Sequence, residues 1–68
     1  MEDLERFYYL ITKGNYKDAY AISLDLLNKG LPITTLRSKI YDYFIQQEKR
    51  QKIKIVRYFK KLDLEDWL

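Results

Sequence analysis

The sequence predicts an all-α fold, a compact four-helix bundle built from two antiparallel helical hairpins and closed by a short C-terminal turn. Three observations carry that prediction. Apolar residues recur at helical spacing in four successive segments. Two isolated glycines, Gly14 and Gly30, punctuate the first three segments, and each suits the left-handed residue that ends a helix. The link at Gly14 is too short for its two helices to do anything but fold back on each other. The predicted helices cover 2–13, 15–29, 33–47 and 50–62, within a single helical domain of residues 1–68.

The first helix sets Leu4, Phe7, Tyr8 and Ile11 at helical spacing with Leu10 beside them, and Glu2, Asp3 and Glu5 at its positive end. Lys13 and Gly14 close it. Asn15 is a favoured N-cap for the second helix, and Asp18 adds negative charge to its first turn. Ala19, Tyr20, Ile22, Leu24, Leu26 and Leu27 leave this helix few polar positions, so it is expected to be covered on more than one side. Gly30, Leu31 and Pro32 end it and start the third helix, whose buried stripe is Ile33, Leu36, Ile40 and Phe44, flanked by Tyr41, Tyr43 and Ile45. The apolar pattern pauses from Gln46 to Arg50. One helix running from 33 to 62 would be unusually long for a globular domain, which favours a break there. The fourth helix holds Ile55, Val56, Phe59 and Leu62 inward. Asp63 then caps a final turn, 64–68, in which Trp67 folds back on the bundle.

Sixty-eight residues bury only about 60% of the surface that the unfolded chain exposes, so the core is marginal. The chain has no Cys and no His, which excludes disulfides and the usual zinc ligand sets. Stability must come from helix packing or from association with another chain. Seven Tyr, three Phe and one Trp supply large rings for either purpose, and Tyr is a frequent interface residue. Tyr9, Tyr43, Tyr58 and Trp67 are the candidate protein-interface residues. The acidic start argues against a signal peptide, and no stretch approaches the roughly 20 apolar residues of a membrane span. A cytoplasmic protein without membrane attachment is expected, consistent with zero cysteine.

Charge is unevenly placed. The segment 49–62 contains seven basic residues and no acid, whereas the rest of the chain carries six basic and ten acidic residues. On a helix, Arg50, Lys54, Arg57 and Lys61 fall at i, i+4, i+7 and i+11, one stripe opposite the apolar face. The stripe reads in three ways: a track for nucleic-acid phosphates, a solvated face that keeps the protein soluble, or a surface for an acidic protein. Tyr58 lies off the stripe, so the spacing offers no stacking platform for single-stranded bases. A helix-turn-helix reading has less to work with, because the third helix carries only Arg37 and Lys39 as cations.

No residue set spells a reaction. Without His or Cys the common general bases and thiol nucleophiles are missing, and Ser23, Thr34, Thr35 and Ser38 have no partner base. Asp63, Glu65 and Asp66 could suggest a carboxylate metal site, but a cap followed by an exposed acidic tail explains them more simply. No catalytic residue, metal site, cofactor or small-molecule substrate is expected.

The order helix, GNYKDA, helix, LLNKGLP, helix, basic helix and KKLDLEDWL resembles the C-terminal collar domain of the replication factor C small subunits, the sliding-clamp loaders of archaea and eukaryotes. Gly14, Asn15, Tyr16 and Ala19 match that family's turn-and-helix. Leu26, Leu27, Gly30 and Leu31 match its leucine pair and the following glycine, with Pro32 in place of the usual Ser, and Leu62 to Trp67 match its acidic-aromatic segment loosely. The Gly-aromatic-x-x-Ala turn is also similar to that of tetratricopeptide repeats. The helical cap of cobalamin-binding domains is similar across 4–45, although no cobalamin-ligating His follows here. The collar resemblance implies a non-enzymatic assembly module in DNA replication, binding a protein partner or a second copy of itself. It carries over no ATPase, because the nucleotide-binding domains are missing from this sequence, and the family's further helix would begin where this sequence stops. The alternative reading is a small nucleic-acid-binding protein that uses the basic fourth helix.

Overall fold

The structure, a computed structural model, describes residues 2–68; Met1 and the Glu2 side chain, both part of the acidic start, lie outside the described residues. Four α-helices follow in order: α1 (Glu2–Thr12), α2 (Tyr16–Asn28), α3 (Ile33–Ile45) and α4 (Lys49–Tyr58). Two short 3₁₀ turns, Lys60–Leu62 and Leu64–Trp67, complete the chain. None of the described helices is long and apolar enough to cross a membrane.

The two glycines end their helices in the same way. At the end of α1 the Gly14 N–H donates to Ile11 O at 2.9 Å and the Asn15 N–H to Leu10 O at 2.9 Å. At the end of α2 the Gly30 N–H donates to Leu27 O at 3.1 Å and the Leu31 N–H to Leu26 O at 3.0 Å. Both are Schellman closures, which need a left-handed residue at the glycine, and φ is +78° at Gly14 and +101° at Gly30. Leu31 then turns inward against the core, and Pro32, with extended backbone, opens α3.

The break expected after the third helix is present, although no glycine or proline makes it. The Gln46 and Gln47 N–H groups bond to Tyr43 O and Phe44 O, three residues back, and the Gln47 side-chain amide donates to Tyr43 O at 3.0 Å. Those bonds satisfy carbonyls that a continuing helix would have used. Glu48 is extended, and its carbonyl accepts the first bond of α4 from Lys52.

α1 packs on α2 and α3, and α4 closes the fourth side against the same two helices. The core they enclose is Phe7 and Ile11, Tyr16, Ala19 and Leu26, Leu36, Ile40 and Phe44, Ile55, and beyond α4 Phe59, Leu62 and Leu64. Phe59 is the pin. Its ring meets Phe7, Tyr16 and Tyr20 in edge-type contacts at centroid distances of 6.1, 6.0 and 5.9 Å. Each such pair contributes about 0.5–1.5 kcal/mol beyond area burial.

Four details differ from the sequence reading. α4 ends at Tyr58 and not at 62, because Phe59 leaves the helical region (φ −103°, ψ 55°) to reach the centre of the core. Asn15 occupies the N-cap position, but its side chain accepts no backbone N–H; its amide donates instead to the Asp18 carboxylate at 3.0 Å. Asp63 makes no side-chain cap bond either. It is the one non-glycine with positive φ among the described residues (+53°), and that backbone reversal buries both Leu62 and Leu64. Leu24 lies 38% exposed, so the second helix is covered less fully than its apolar sequence suggests. Trp67 does fold back: its ring stands edge-on to Tyr41 at 5.1 Å and to Phe44 at 5.0 Å.

Candidate functional site

α4 is amphipathic, with Ile55 buried, Val56 half-buried, and Arg50, Lys54 and Arg57 exposed on the other side. These three cations line one shallow groove together with Gln51, Ile53 and Tyr58. Seven residues separate Arg50 from Arg57, about 10 Å along a helix axis. Lys61, the fourth member of the predicted stripe, lies beyond the Phe59 break in the first 3₁₀ turn, so the stripe on α4 is three residues long.

Electrostatically the groove is uncompensated. No carboxylate lines it, and among the described residues none of the seven basic side chains from Lys49 to Lys61 makes an ion pair. Lys52 is the one with an aromatic contact, its ammonium 5.6 Å from the Phe44 ring centre. Lys49 and Arg50 also occupy the first turn of α4, where the helix dipole disfavours positive charge; the acid beside them is Glu48 at the N-cap.

Several cations elsewhere are engaged. Arg37 on α3 makes a two-pronged bond to Asp66 at 2.9 and 3.0 Å, and its guanidinium lies 5.2 Å from the Trp67 ring centre. Lys39 sits over Tyr8 at 5.4 Å. Lys29 bridges Asp25 at 3.0 Å and Asp3 at 3.5 Å, and the bond to Asp25, followed by the attraction of both carboxylates, raises its pKa. Asp3, Asp18 and Asp25 share a groove on the α1–α2 face with Arg6 and Lys29, so acid and base are mixed there and segregated on α4.

The aromatic side of the α4 groove was hidden from spacing arguments. Tyr58 is 42% exposed, and its ring meets Tyr16 in an edge-type contact at 5.7 Å. Arg57 and Tyr58 also line a second, adjoining groove with Tyr20 and Lys60. Tyr58 thus stands between two basic hollows, where a helical wheel puts it only at the edge of the stripe. Gln51 ties the same face to the interior: its side-chain amide donates to the Tyr16 hydroxyl, which pairs with the Tyr43 hydroxyl at 2.9 Å. Partial burial, and then the bond to Tyr16, push the Tyr43 hydroxyl up to about 12.

The four candidate interface residues separate. Tyr43 is half-buried in that hydroxyl pair, and Trp67 is half-buried against Tyr41 and Phe44. Tyr9 is 58% exposed, with the Lys13 ammonium 5.5 Å from its ring centre, and Tyr58 belongs to the α4 groove. Tyr41 (44% exposed) and Ile45 (49% exposed) form with Trp67 an apolar patch that the sequence reading left as flanking residues; their i, i+4 spacing was its only signal. Among the described residues no group of three acidic side chains is arranged to hold a metal ion, and Asp66 of the C-terminal acidic cluster is engaged with Arg37.

No protein-family model matches the chain, and neither a curated protein nor a solved structure matches it.

Proposed function

We propose that this chain is a non-catalytic helical module that binds nucleic acid, holding a phosphate backbone on the exposed face of α4. One observation carries the reading: Arg50, Lys54 and Arg57 share a groove that no carboxylate lines, and among the described residues none of them is in an ion pair. Guanidinium groups suit phosphate because their fork donates two parallel bonds. The reading assigns the protein to the cytoplasm, with which a chain lacking cysteine is compatible.

Binding through three phosphate contacts requires that log K fall against log salt with a slope of roughly −2 to −3. The double variant Lys54→Glu, Arg57→Glu should abolish binding to a labelled oligonucleotide at low salt, with helical circular dichroism unchanged. Undiminished binding by that variant sinks the proposal.

A second reading is favoured by a different surface. The collar-like assembly role in DNA replication, in which a helical module packs against a protein partner or another copy of itself, finds support in exposed Tyr41 and Ile45 on α3, with half-buried Trp67 against Tyr41. Trp, Tyr and the neighbouring Arg37 are the residue types that dominate interface energetics. Sedimentation at high micromolar concentration tests self-association, and Ile45→Glu should shift any oligomer to monomer. A monomer throughout would remove self-assembly.

A further inference from the structure

We infer that the nucleic acid held by α4 is single-stranded, with an unpaired base stacked on Tyr58 while Arg50, Lys54 and Arg57 hold its backbone; this rests on the nucleic-acid reading above. Phosphate contacts alone would serve single and double strands alike. The geometry around Tyr58 is what separates them. The residue is 42% exposed and its ring is braced by Tyr16 at 5.7 Å with the planes 62° apart, so it offers surface without being free to collapse into the groove. Arg57 accompanies it in both adjoining grooves, and the second adds the half-buried Tyr20 and Lys60. A path over this ridge therefore meets cations, an exposed ring, and then a second ring beside another cation.

That alternation is the pattern of a single-strand track. A basic groove follows the backbone, and aromatic faces take successive bases whatever their identity. A duplex keeps its bases in the stack and would have nothing to place on Tyr58. The surface is also charge-complementary to a polyanion along its whole length, because neither groove is lined by a carboxylate.

The test uses the full chain and fluorescence anisotropy of a labelled twelve-nucleotide oligothymidine at low salt. A blunt duplex of equal length, heparin and poly-glutamate serve as competitors. Oligothymidine should bind more tightly than the duplex. Tyr58→Ala should weaken oligothymidine binding by roughly ten-fold and leave competition by heparin, which has no bases, unchanged. Tyr58→Trp keeps a stacking face and should retain binding, which separates loss of stacking from loss of the contact with Tyr16; a thermal melt of each variant checks the fold. If the duplex binds as well as the single strand, or Tyr58→Ala has no effect, the single-strand inference falls and the backbone-binding reading stands. If the labelled oligothymidine does not bind at low salt, both fall.

Discussion

The α1–α2 hairpin and the segment from α4 to the C-terminus solve the same problem, ending a helix and reversing the chain, by different means. In the hairpin the reversal is local. A glycine at positive φ closes the last turn, and the closure would form in much the same way whatever lay beyond it. The hairpin's outer face mixes acid and base, with Lys29 clasping two aspartates. Past α4 there is no glycine. Phe59 leaves the helix because the core holds it, Asp63 takes a left-handed backbone, and Trp67 returns to α3 with Arg37 and Asp66 paired beside it. Among the described residues the cations from Lys49 to Lys61 make no ion pair. The hairpin ended by its own sequence carries acid and base together, whereas the region held by tertiary contacts carries cations grouped apart from acids.

The largest expected effect tests whether the two regions share one pin. Phe59→Ala removes a fully buried ring that touches both helices of the α1–α2 hairpin, and should cost about 3–5 kcal/mol. Chemical denaturation should show the whole molecule losing stability together. Independent melting of the hairpin would break the comparison. Gly30→Val comes next. An added Cβ meets nothing within 4 Å, so the penalty is backbone strain at φ +101° and not crowding. About 1–2 kcal/mol is expected in a thermal melt, and an unchanged melting temperature would show that the Schellman closure is not needed there.

Asp63→Gly should act in the opposite direction. It relieves a left-handed non-glycine residue and stabilises by up to about 1 kcal/mol, less the entropy that glycine adds to the unfolded chain. The smallest effect near neutrality concerns the hydroxyl pair that joins α2 to α3. The Tyr43 pKa is about 12 in the folded protein, above the ordinary tyrosine value of about 10. Its contribution is therefore fully present below pH 10 and is lost as pH rises toward 12, because the unfolded chain releases that proton first. Melting temperature should fall through that window in the native protein and fall less steeply in Tyr43→Phe.

Legibility followed the same division. Gly14, Gly30 and Pro32 announce three helix boundaries, and the stripes Phe7–Ile11 and Leu36–Ile40–Phe44 announce the faces that meet. The start of the basic face was equally plain, since seven cations without an acid form a composition signal. Its shape was not plain. A helical wheel carried to 62 includes Lys61 because it assumes that the helix continues past Phe59, and it sets Tyr58 at the edge of the stripe, one i, i+4 step from Lys54. The break moves Lys61 off the stripe, and packing against Tyr16 sets Tyr58 beside the cations. Tyr43 and Trp67 illustrate the converse. Their residue types suit an interface, but the fold uses much of each ring internally.

What the sequence determines by itself is the set of helices, the two glycine-closed turns and the concentration of positive charge after residue 48. Each rests on interactions within a few residues: backbone freedom at a glycine, the period of apolar positions, and like charges close along the chain. Only the tertiary structure decides where α4 stops, that Asp63 reverses the backbone, and that Tyr58 stands between two basic grooves. Those outcomes depend on Phe59 filling a space made by α1 and α2, far away in sequence, and no local pattern encodes the shape of that space.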